Sequence, residues 1–253
     1  KIVSTLSTGT NHIDLQAAKE FGVTITAVPK YSPNAISEFT MGLMLSVVRN
    51  LHRAHHRTRD GNFNLDGLEG FEIGRKTVGV FGAGSIGRAV IRNLSGFGCK
   101  ILAYDPYPSP EVENLCTFVN PETLFRESDI LTFHTPLLDT TRHIVNDESI
   151  ATMKKGVVIV NTSRGGIIDT PSILRALKKG HIGSLAIDVY EGEGALFFED
   201  RSCQIIPDDD FARLLTYPNV LVTGHQAFLT DSAINTIAET TLNYLTEFET
   251  TGR

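Results

Sequence analysis

The chain has 253 residues, of which 41% are hydrophobic, and its formal net charge at pH 7 is -6. This length allows one large domain or two moderate ones, each with its own core. The mild acidity and the lack of a basic block argue against nucleic acid or an anionic membrane surface as a partner.

The cysteines and the apolar segments indicate the compartment. Cys99, Cys116 and Cys203 are odd in number and have no CxxC spacing, which favours a reducing environment. The longest apolar stretch, 41–48, is too short to span a bilayer, and no charged-then-apolar leader opens the chain. We therefore expect a cytoplasmic protein with no membrane partner.

The two ends of the chain have a pattern of their own. The beginning predicts a strand that Lys1 enters without a preceding turn, a helix over 14–20, a strand over 25–28 and one long helix over 33–59. Residues 231–249 predict a C-terminal helix. We expect both ends to form a second, discontinuous domain, and we expect this domain to be incomplete because the first strand has no upstream turn.

From Lys76 onward, strand-like and helix-like segments alternate. Short apolar runs bounded by glycine and polar turns are typical of strands buried on both faces. The repeated alternation predicts an α/β fold with a doubly wound parallel sheet. The predicted strands are 77–81, 100–104, 130–134, 157–161, 184–189 and 220–223, and the predicted helices are 85–95, 121–126, 147–153, 171–179 and 208–215.

A glycine-rich turn follows the first of these strands. Gly82 permits a tight turn, Gly84 lets a pyrophosphate approach the backbone, and Gly87 allows close packing of the helix on the strand. Ser85 and Ile86 stand at the helix N-terminus, which favours phosphate charge. The pattern predicts a Rossmann dinucleotide-binding domain, although a plain glycine turn in another α/β domain is the alternative.

The acidic residue after the next strand indicates which dinucleotide is bound. Asp105 can accept a hydrogen bond from a ribose hydroxyl and would repel the 2′-phosphate of NADP, and residues 106–108 contain no arginine to compensate. NAD is therefore the predicted cofactor. The predicted division of the chain is a remnant of a substrate domain over 1–32, the NAD-binding Rossmann domain over 33–227, and a C-terminal helix over 228–253 that returns to the substrate domain.

Three loops at the carboxyl ends of later strands contain the candidate reactive side chains. They are 161–166 with Arg164, 188–193 with Asp188 and two glutamates, and 224–228 with His225. Open α/β sheets bind ligands at this edge, so these side chains are expected to converge there. Either Glu191 or Glu193 could lie beside the histidine. The structural alternatives are that His225 only forms a turn and that Arg164 only pairs with a surface carboxylate.

The four segments GAGSIG, NTSRGG, DVYEGE and GHQAF, in this order and spacing, resemble the D-isomer-specific 2-hydroxyacid dehydrogenases, and the resemblance extends over essentially the whole chain. Within that family, residues 28–36, 194–200 and 225–230 resemble the D-lactate dehydrogenases most closely. The resemblance implies that His225 is the acid/base, Glu193 its carboxylate partner and Arg164 the substrate-binding cation. These roles agree with the chemistry, since an imidazole exchanges protons near neutrality and a guanidinium binds a carboxylate in two places.

The same resemblance implies further contacts. Asp188 would meet the nicotinamide carboxamide, with a turn cap as its alternative. His134, Thr135, Pro136, Thr162 and Ser163 would line the cofactor. On the substrate side the implied residues are Tyr31, Thr8, Gly9 and Phe228, and Phe228 would limit the pocket to a small acid such as pyruvate. Leu6 departs from the family pattern, which leaves the substrate carboxylate with fewer cationic partners.

The predicted function is thus an NAD-dependent D-lactate dehydrogenase that interconverts pyruvate and D-lactate. The alternatives are a dehydrogenase for a branched or aromatic D-2-hydroxy acid and an NAD-sensing scaffold that resembles the corepressors of this fold. No metal is expected, because His52, His55 and His56 lack acidic or thiol partners. The helix from Pro33 and residues 61–63 resemble dimer-forming elements, so a homodimer or a higher homo-oligomer is expected.

Overall fold

The structure, a computed structural model, describes residues 1–10 and 12–252. The strands are β1 Ile2–Thr5, β2 Thr24–Ala27, β3 Thr77–Phe81, β4 Lys100–Tyr104, β5 Thr117–Phe118, β6 Ile130–Phe133, β7 Val157–Asn161, β8 Ile182–Ile187 and β9 Val220–Val222. The helices are α1 Leu15–Glu20, α2 Pro33–Val48, α3 Leu51–Arg59, α4 Ser85–Ser95, α5 Pro121–Glu127, α6 Asp147–Thr152, α7 Thr170–Lys178, α8 Asp209–Leu215 and α9 Asp231–Thr251.

Seven strands form one parallel sheet in the order β5-β4-β3-β6-β7-β8-β9. The chain runs outward from β3 in one direction to β5 and then returns to β6, so the strand order reverses between β3 and β6. This confirms the predicted α/β fold with a doubly wound sheet. The reversal matters for function because ligands bind at such a point, beyond the carboxyl ends of the strands.

Alternate residues of each central strand enter two different hydrophobic clusters. In β3, Val78 and Val80 belong to one cluster and Phe81 belongs to the other. In β7, Val158 and Val160 belong to the same cluster as Val78, whereas Ile159 belongs to the cluster of Phe81. Side chains on a strand point alternately to its two faces, so this division shows that helices cover both sides of the sheet. The continuous apolar runs of the sequence have this physical cause.

The chain forms two compact units. One comprises residues 36–227 and contains the seven-stranded sheet; the other comprises residues 1–35 and 228–253. In the second unit β1 and β2 pair in parallel. Helix α9 begins with a cap in which the Thr230 hydroxyl accepts from Ala233 N, and it buries Ala233 and Ile237. Across the described ranges, no helix is both long and apolar enough to cross a membrane.

The prediction of one long helix over 33–59 is wrong. The helix is interrupted at Asn50, whose φ of 53° lies in the left-handed region that asparagine tolerates better than most residues. The Asn50 side chain donates hydrogen bonds to the carbonyl oxygens of Leu68 and Glu69. A contact distant in the sequence therefore stabilises the interruption.

Two strands differ from the prediction. The edge strand Thr117–Phe118 was not predicted, because two residues are too few to give a periodic signal. Strand β8 begins at Ile182 and ends at Ile187, whereas the apolar pattern predicted 184–189. Its pairing with β7 shifts register between Val157 and Val158, which face Ile182 and Ser184, so Gly183 has no paired residue.

Candidate active site

The turn between β3 and α4 depends on its glycines. Gly82 has a φ of +95°, a conformation that L side chains rarely adopt, and its N–H donates to the carbonyl oxygen of Tyr104 over 2.8 Å. A Cβ on Gly87 would overlap the carbonyl oxygen of Gly82. Side chains are therefore excluded at both positions because helix and strand approach each other so closely here.

The start of α4 is open in the way a phosphate group requires. Gly84 precedes the helix, and no heavy atom lies within 4 Å of the position its Cβ would take. Gly84 and Ser85 are exposed, Ile86 is half-buried, and no side chain of the described residues caps the helix. The first N–H groups of α4 thus remain free for an anion, and the turn fits the pyrophosphate of a dinucleotide.

Asp105 follows β4 and lies beside this turn. Its Oδ2 accepts from Ala83 N at 2.7 Å and its Oδ1 accepts from Tyr107 N at 2.9 Å. Each carboxylate oxygen can accept more than one hydrogen bond, so both can still accept from a ribose. The two backbone contacts fix the carboxylate next to the glycine turn, as binding of an adenosine ribose requires.

The loops that follow β7, β8 and β9 lie side by side. Asp188 N donates to Asn161 O at 3.0 Å and Thr223 N donates to Ile187 O at 2.9 Å, so the parallel ladder continues past the strand ends. A Cβ on Gly165 would overlap the backbone of Tyr190 and Glu191. The loop that contains Arg164 and the loop that contains the glutamates are therefore in direct backbone contact.

Asn161 shapes the Arg164 loop, a role that the sequence reasoning missed. This fully buried side chain donates to the carbonyl oxygen of Arg164 at 2.9 Å and accepts from the N–H and the hydroxyl of Ser163. Arg164 is half-buried, and its guanidinium donates to Ser163 O. Among residues 1–10 and 12–252, no carboxylate lies within 4.0 Å of that guanidinium, which leaves its donors available for an acid.

Asp188 organises the loop that contains His225. Its carboxylate accepts from the Thr223 hydroxyl at 2.6 Å, from Gln226 N at 2.9 Å and from Ala227 N at 2.8 Å. Its carbonyl oxygen accepts from His225 N at 2.7 Å. These contacts hold His225 at a φ of +55°, which is unusual for a residue other than glycine. The three contacts of the Asp188 carboxylate agree with the alternative in which this residue caps a turn. Its contact with the nicotinamide stays a prediction.

The two glutamates contact different histidines. Glu193 Oε1 lies 2.9 Å from His225 Nδ1, and Glu193 Oε2 accepts from Tyr190 N at 2.9 Å. Glu191 instead lies 3.0 Å from His143 Nε2 and accepts from Thr170 N. Glu193 is therefore the carboxylate beside His225.

His225 keeps one ring nitrogen free. Its Nε2 makes no hydrogen bond with any described residue, and the side chain is 30% exposed. Because Glu193 accepts from Nδ1–H, the neutral ring has its lone pair on Nε2 and the protonated ring has an N–H there. The ring of Phe198 lies 5.8 Å from the imidazole between centroids. This arrangement lets one nitrogen exchange a proton with a bound molecule.

The other residues predicted to line the cofactor lie in the same unit. Thr135 is half-buried and Pro136 is exposed at the end of β6. The hydroxyl of buried Thr162 lies 2.8 Å from that of Thr40 in α2. The Thr162 and Ser163 hydroxyls therefore have partners inside the protein, and any contact that they make with a cofactor is additional.

His134 follows directly after β6, at the point where the strand order reverses. It is 9% exposed, its Nε2 lies 2.9 Å from the Thr132 hydroxyl, and its Nδ1 has no hydrogen-bond partner in the described part of the chain. Burial lowers the pKa of His134 to about 3, because a charge would be desolvated there. The ring is neutral at physiological pH.

Because His134 stays neutral in the folded state, we expect the free energy of unfolding to decrease below about pH 6.5. A depressed folded-state pKa means that the unfolded chain binds the proton first, so stability is complete above the unfolded pKa and falls as the pH decreases. From His134 alone the loss between pH 7.5 and pH 5 is about 2 kcal/mol. Urea unfolding at pH 7.5 and pH 5 measures this loss of stability for the parent chain and for His134→Gln. The control is His55→Gln, because His55 is exposed on α3. Equal pH sensitivity in all three would contradict the assignment.

The predicted substrate contacts Tyr31, Thr8, Gly9 and Phe228 belong to the other compact unit. The rings of Tyr31 and Phe228 meet edge to face at 6.2 Å between centroids. Gly9 O accepts from the Ser7 hydroxyl, which also lies 2.7 Å from the Thr5 hydroxyl, so side chains order the loop around Thr8. The roles of these four residues in substrate binding stay predictions.

The described residues include no group of three His, Cys, Asp or Glu side chains arranged to hold a metal ion. His52 contacts the carbonyl oxygens of Ser46 and Pro218, while the rings of His55 and His56 contact each other.

A doubly wound sheet, an uncapped glycine turn and Asp105 after β4 together define a Rossmann domain that fits NAD. The family model described as the D-isomer specific 2-hydroxyacid dehydrogenase, NAD binding domain, matches residues 41–227. The chain belongs to this family of NAD-dependent oxidoreductases.

Relatives and solved structures agree with this membership. D-lactate dehydrogenase kk1H of Curvularia clavata is 50% identical over 95% of this chain and 69% of its own length. D-lactate dehydrogenase of Escherichia coli is 49% identical over 98% of this chain and 76% of its own. The structure described as the pyruvate reductase of Chlamydomonas reinhardtii has a TM-score of 0.93 and 44% identity, and the match covers 98% of this chain and 75% of that one.

Proposed function

We propose that this protein is an NAD-dependent D-lactate dehydrogenase that interconverts pyruvate and D-lactate. The observation that carries the proposal is the contact of His225 Nδ1 with Glu193 at 2.9 Å, with Nε2 left free at the edge of the sheet. The relatives named D-lactate dehydrogenase support the substrate.

His225 is the proposed proton donor and acceptor. In reduction, the protonated ring gives its Nε2 proton to the keto oxygen as that oxygen gains negative charge; in oxidation, neutral Nε2 removes the hydroxyl proton. Glu193 accepts from Nδ1–H in both forms, which keeps the imidazole in one orientation. Asp188 keeps the loop in place through Gln226 N and Ala227 N, so the imidazole stays directed while its charge changes.

Arg164 is the proposed substrate-binding cation. Its planar guanidinium offers two parallel N–H groups to the carboxylate of a 2-keto acid, and a donor at the keto oxygen stabilises the negative charge that develops there. The described residues offer it no competing carboxylate, and Asn161 fixes its backbone. Tyr31, Thr8, Gly9 and Phe228 are proposed to complete the substrate contacts.

The NAD-binding turn fits its cofactor. The free N–H groups at the start of α4 would hold the pyrophosphate and Asp105 the adenosine ribose. Thr135, Pro136, Thr162, Ser163 and Asp188 are proposed to line the nicotinamide end. When bound, the reduced nicotinamide supplies a hydride to the carbonyl carbon. The protein contributes orientation, the carboxylate contact and the proton.

The substrate is tested by following NADH absorbance at 340 nm with a panel of 2-keto acids under matched conditions. We expect the highest kcat/KM with pyruvate, because relatives named D-lactate dehydrogenase are 50% and 49% identical to this chain and Phe228 is proposed to limit the size of the pocket. Phenylpyruvate and 2-ketoisocaproate represent the aromatic and branched alternatives. Turnover of either one in preference to pyruvate would overturn the substrate assignment and keep the reaction class.

The scaffold alternative predicts a different result in the same assay. A protein that only senses the dinucleotide would bind NADH and turn over none of the panel. Calorimetric titration with NADH, run beside the assay, therefore separates an enzyme with another substrate from a protein that binds the cofactor without chemistry.

A further inference from the structure

We infer that Glu111 is a specificity-determining residue for the cofactor, because it neutralises an arginine that would otherwise favour a 2′-phosphorylated dinucleotide. This inference rests on the NAD-binding part of the proposed function. It concerns a cluster of charged side chains at the turn after β3 that has no part in proton transfer or substrate binding.

The cluster begins beside Asp105. The backbone of Ala83 has two polar contacts: its N–H donates to Asp105 Oδ2 at 2.7 Å, and its carbonyl oxygen accepts from Arg88 Nη1 at 3.2 Å. The backbone of a single residue thus connects the acidic residue that would face the ribose to a guanidinium. The sequence contains no arginine in 106–108, but the first turn of α4 supplies one through space.

Glu111 engages the guanidinium of Arg88 only weakly. The buried Nε of Arg88 makes no hydrogen bond with a described residue, and this same nitrogen lies 3.4 Å from Glu111 Oε2 in an ion pair. Glu111 Oε2 also lies 2.7 Å from Arg92 Nη2. One carboxylate is therefore shared between two guanidinium groups.

Glu111 lies on the short helical turn Pro110–Val112, six residues after Asp105. The segment between them connects Asp105, which would bind the ribose, to the residue that pairs with Arg88 and Arg92. Nearby arginines are what dinucleotide-binding domains use to accept a 2′-phosphate, since a guanidinium binds phosphate through paired hydrogen bonds. Two acidic residues thus disfavour NADP here: Asp105 repels its phosphate, and Glu111 occupies the cation that could compensate.

The test is a set of calorimetric titrations with NADH and NADPH, which need no turnover. In the Asp105→Asn background, adding Glu111→Gln is expected to lower the Kd for NADPH by about fivefold or more, because Arg88 is released. The Kd for NADH is expected to change by less than about twofold. The gain with NADPH should shrink at 0.5 M salt, since exposed charges are screened.

Two matched variants identify the cation. Adding Arg88→Gln to the double variant is expected to abolish the gain, whereas Arg92→Gln is expected to preserve it. Glu113→Gln removes a neighbouring carboxylate that has no ion pair among the described residues, and it is expected to leave NADPH binding unchanged.

Results that contradict the role of Glu111 differ from those that contradict the proposed function. No gain with Glu111→Gln, a gain that survives loss of Arg88, or an equal gain from Glu113→Gln would each overturn the inference. If the parent chain bound NADH but the variants did not give the expected changes in NADPH binding, only the inference about Glu111 would be lost, and the proposed function would stand. Failure of the parent chain to bind NADH would overturn both.

Discussion

His225→Asn is expected to lower kcat for pyruvate reduction by about 10²–10⁴-fold while the Kd for NADH changes by less than about twofold. Asparagine is chosen because position 225 has a φ of +55°, which it tolerates, so the loop keeps its conformation. The imidazole that exchanges the proton is lost, while the glycine turn is untouched. Steady-state rates and calorimetry measure the two quantities.

The chain contains a matched control for this variant. His143 also has a positive φ, of 49°, and also contacts a glutamate, Glu191, at 3.0 Å. His143→Asn therefore removes the same groups from a similar backbone and is expected to leave kcat nearly unchanged. In the same comparison, Glu193→Gln is expected to lower kcat by about tenfold and Glu191→Gln much less.

The two histidine variants together test the role of His225. Retention of more than a tenth of the parent kcat in His225→Asn would refute the acid/base role, as would an equal loss in His143→Asn.

Arg164→Gln is expected to lower kcat/KM for pyruvate by about a hundredfold or more, since two charge-assisted hydrogen bonds to the substrate carboxylate are lost. Arg164→Lys keeps the charge but not the planar pair of donors, so it should give an intermediate value. NADH affinity should be nearly unaffected in both variants. Rates at several pyruvate concentrations separate KM from kcat.

A control for loss of positive charge is Arg175→Gln, because Arg175 pairs with Asp147 on the surface of the same unit. It is expected to leave kcat/KM within about twofold of the parent value. Equal activity of Arg164→Lys and the parent would show that a point charge suffices and that two-point binding is not used. A loss of NADH binding in Arg164→Gln would indicate a structural role for the residue instead.

Local sequence signals were sufficient for the sheet and the cofactor turn. The apolar runs of the central strands follow from burial on both faces, and the spacing of Gly82, Gly84 and Gly87 follows from the close approach of strand, helix and phosphate. Asp105 belongs to the same local pattern. These features lie within short segments, where periodicity and residue type are informative.

The interruption at Asn50 and the edge strand β5 were beyond such signals. Asn50 adopts a left-handed conformation because its side chain reaches carbonyl groups eighteen or more residues away. Strand β5 exists because two residues pair with β4, and no periodic pattern can be read from two residues.

Residue types and their spacing were enough to predict the doubly wound fold, the dinucleotide turn and the set of reactive side chains. The family resemblance implied that Glu193 lies beside His225, and the structure has this contact. The contacts of Glu191 with His143, of Asp188 with the amides after His225 and of Arg88 with Glu111 became visible only in the folded chain. The physical reason is that a charged or hydrogen-bonding side chain selects its partner by distance and direction in space. That distance is set by packing of segments far apart in the chain, which local pattern does not encode.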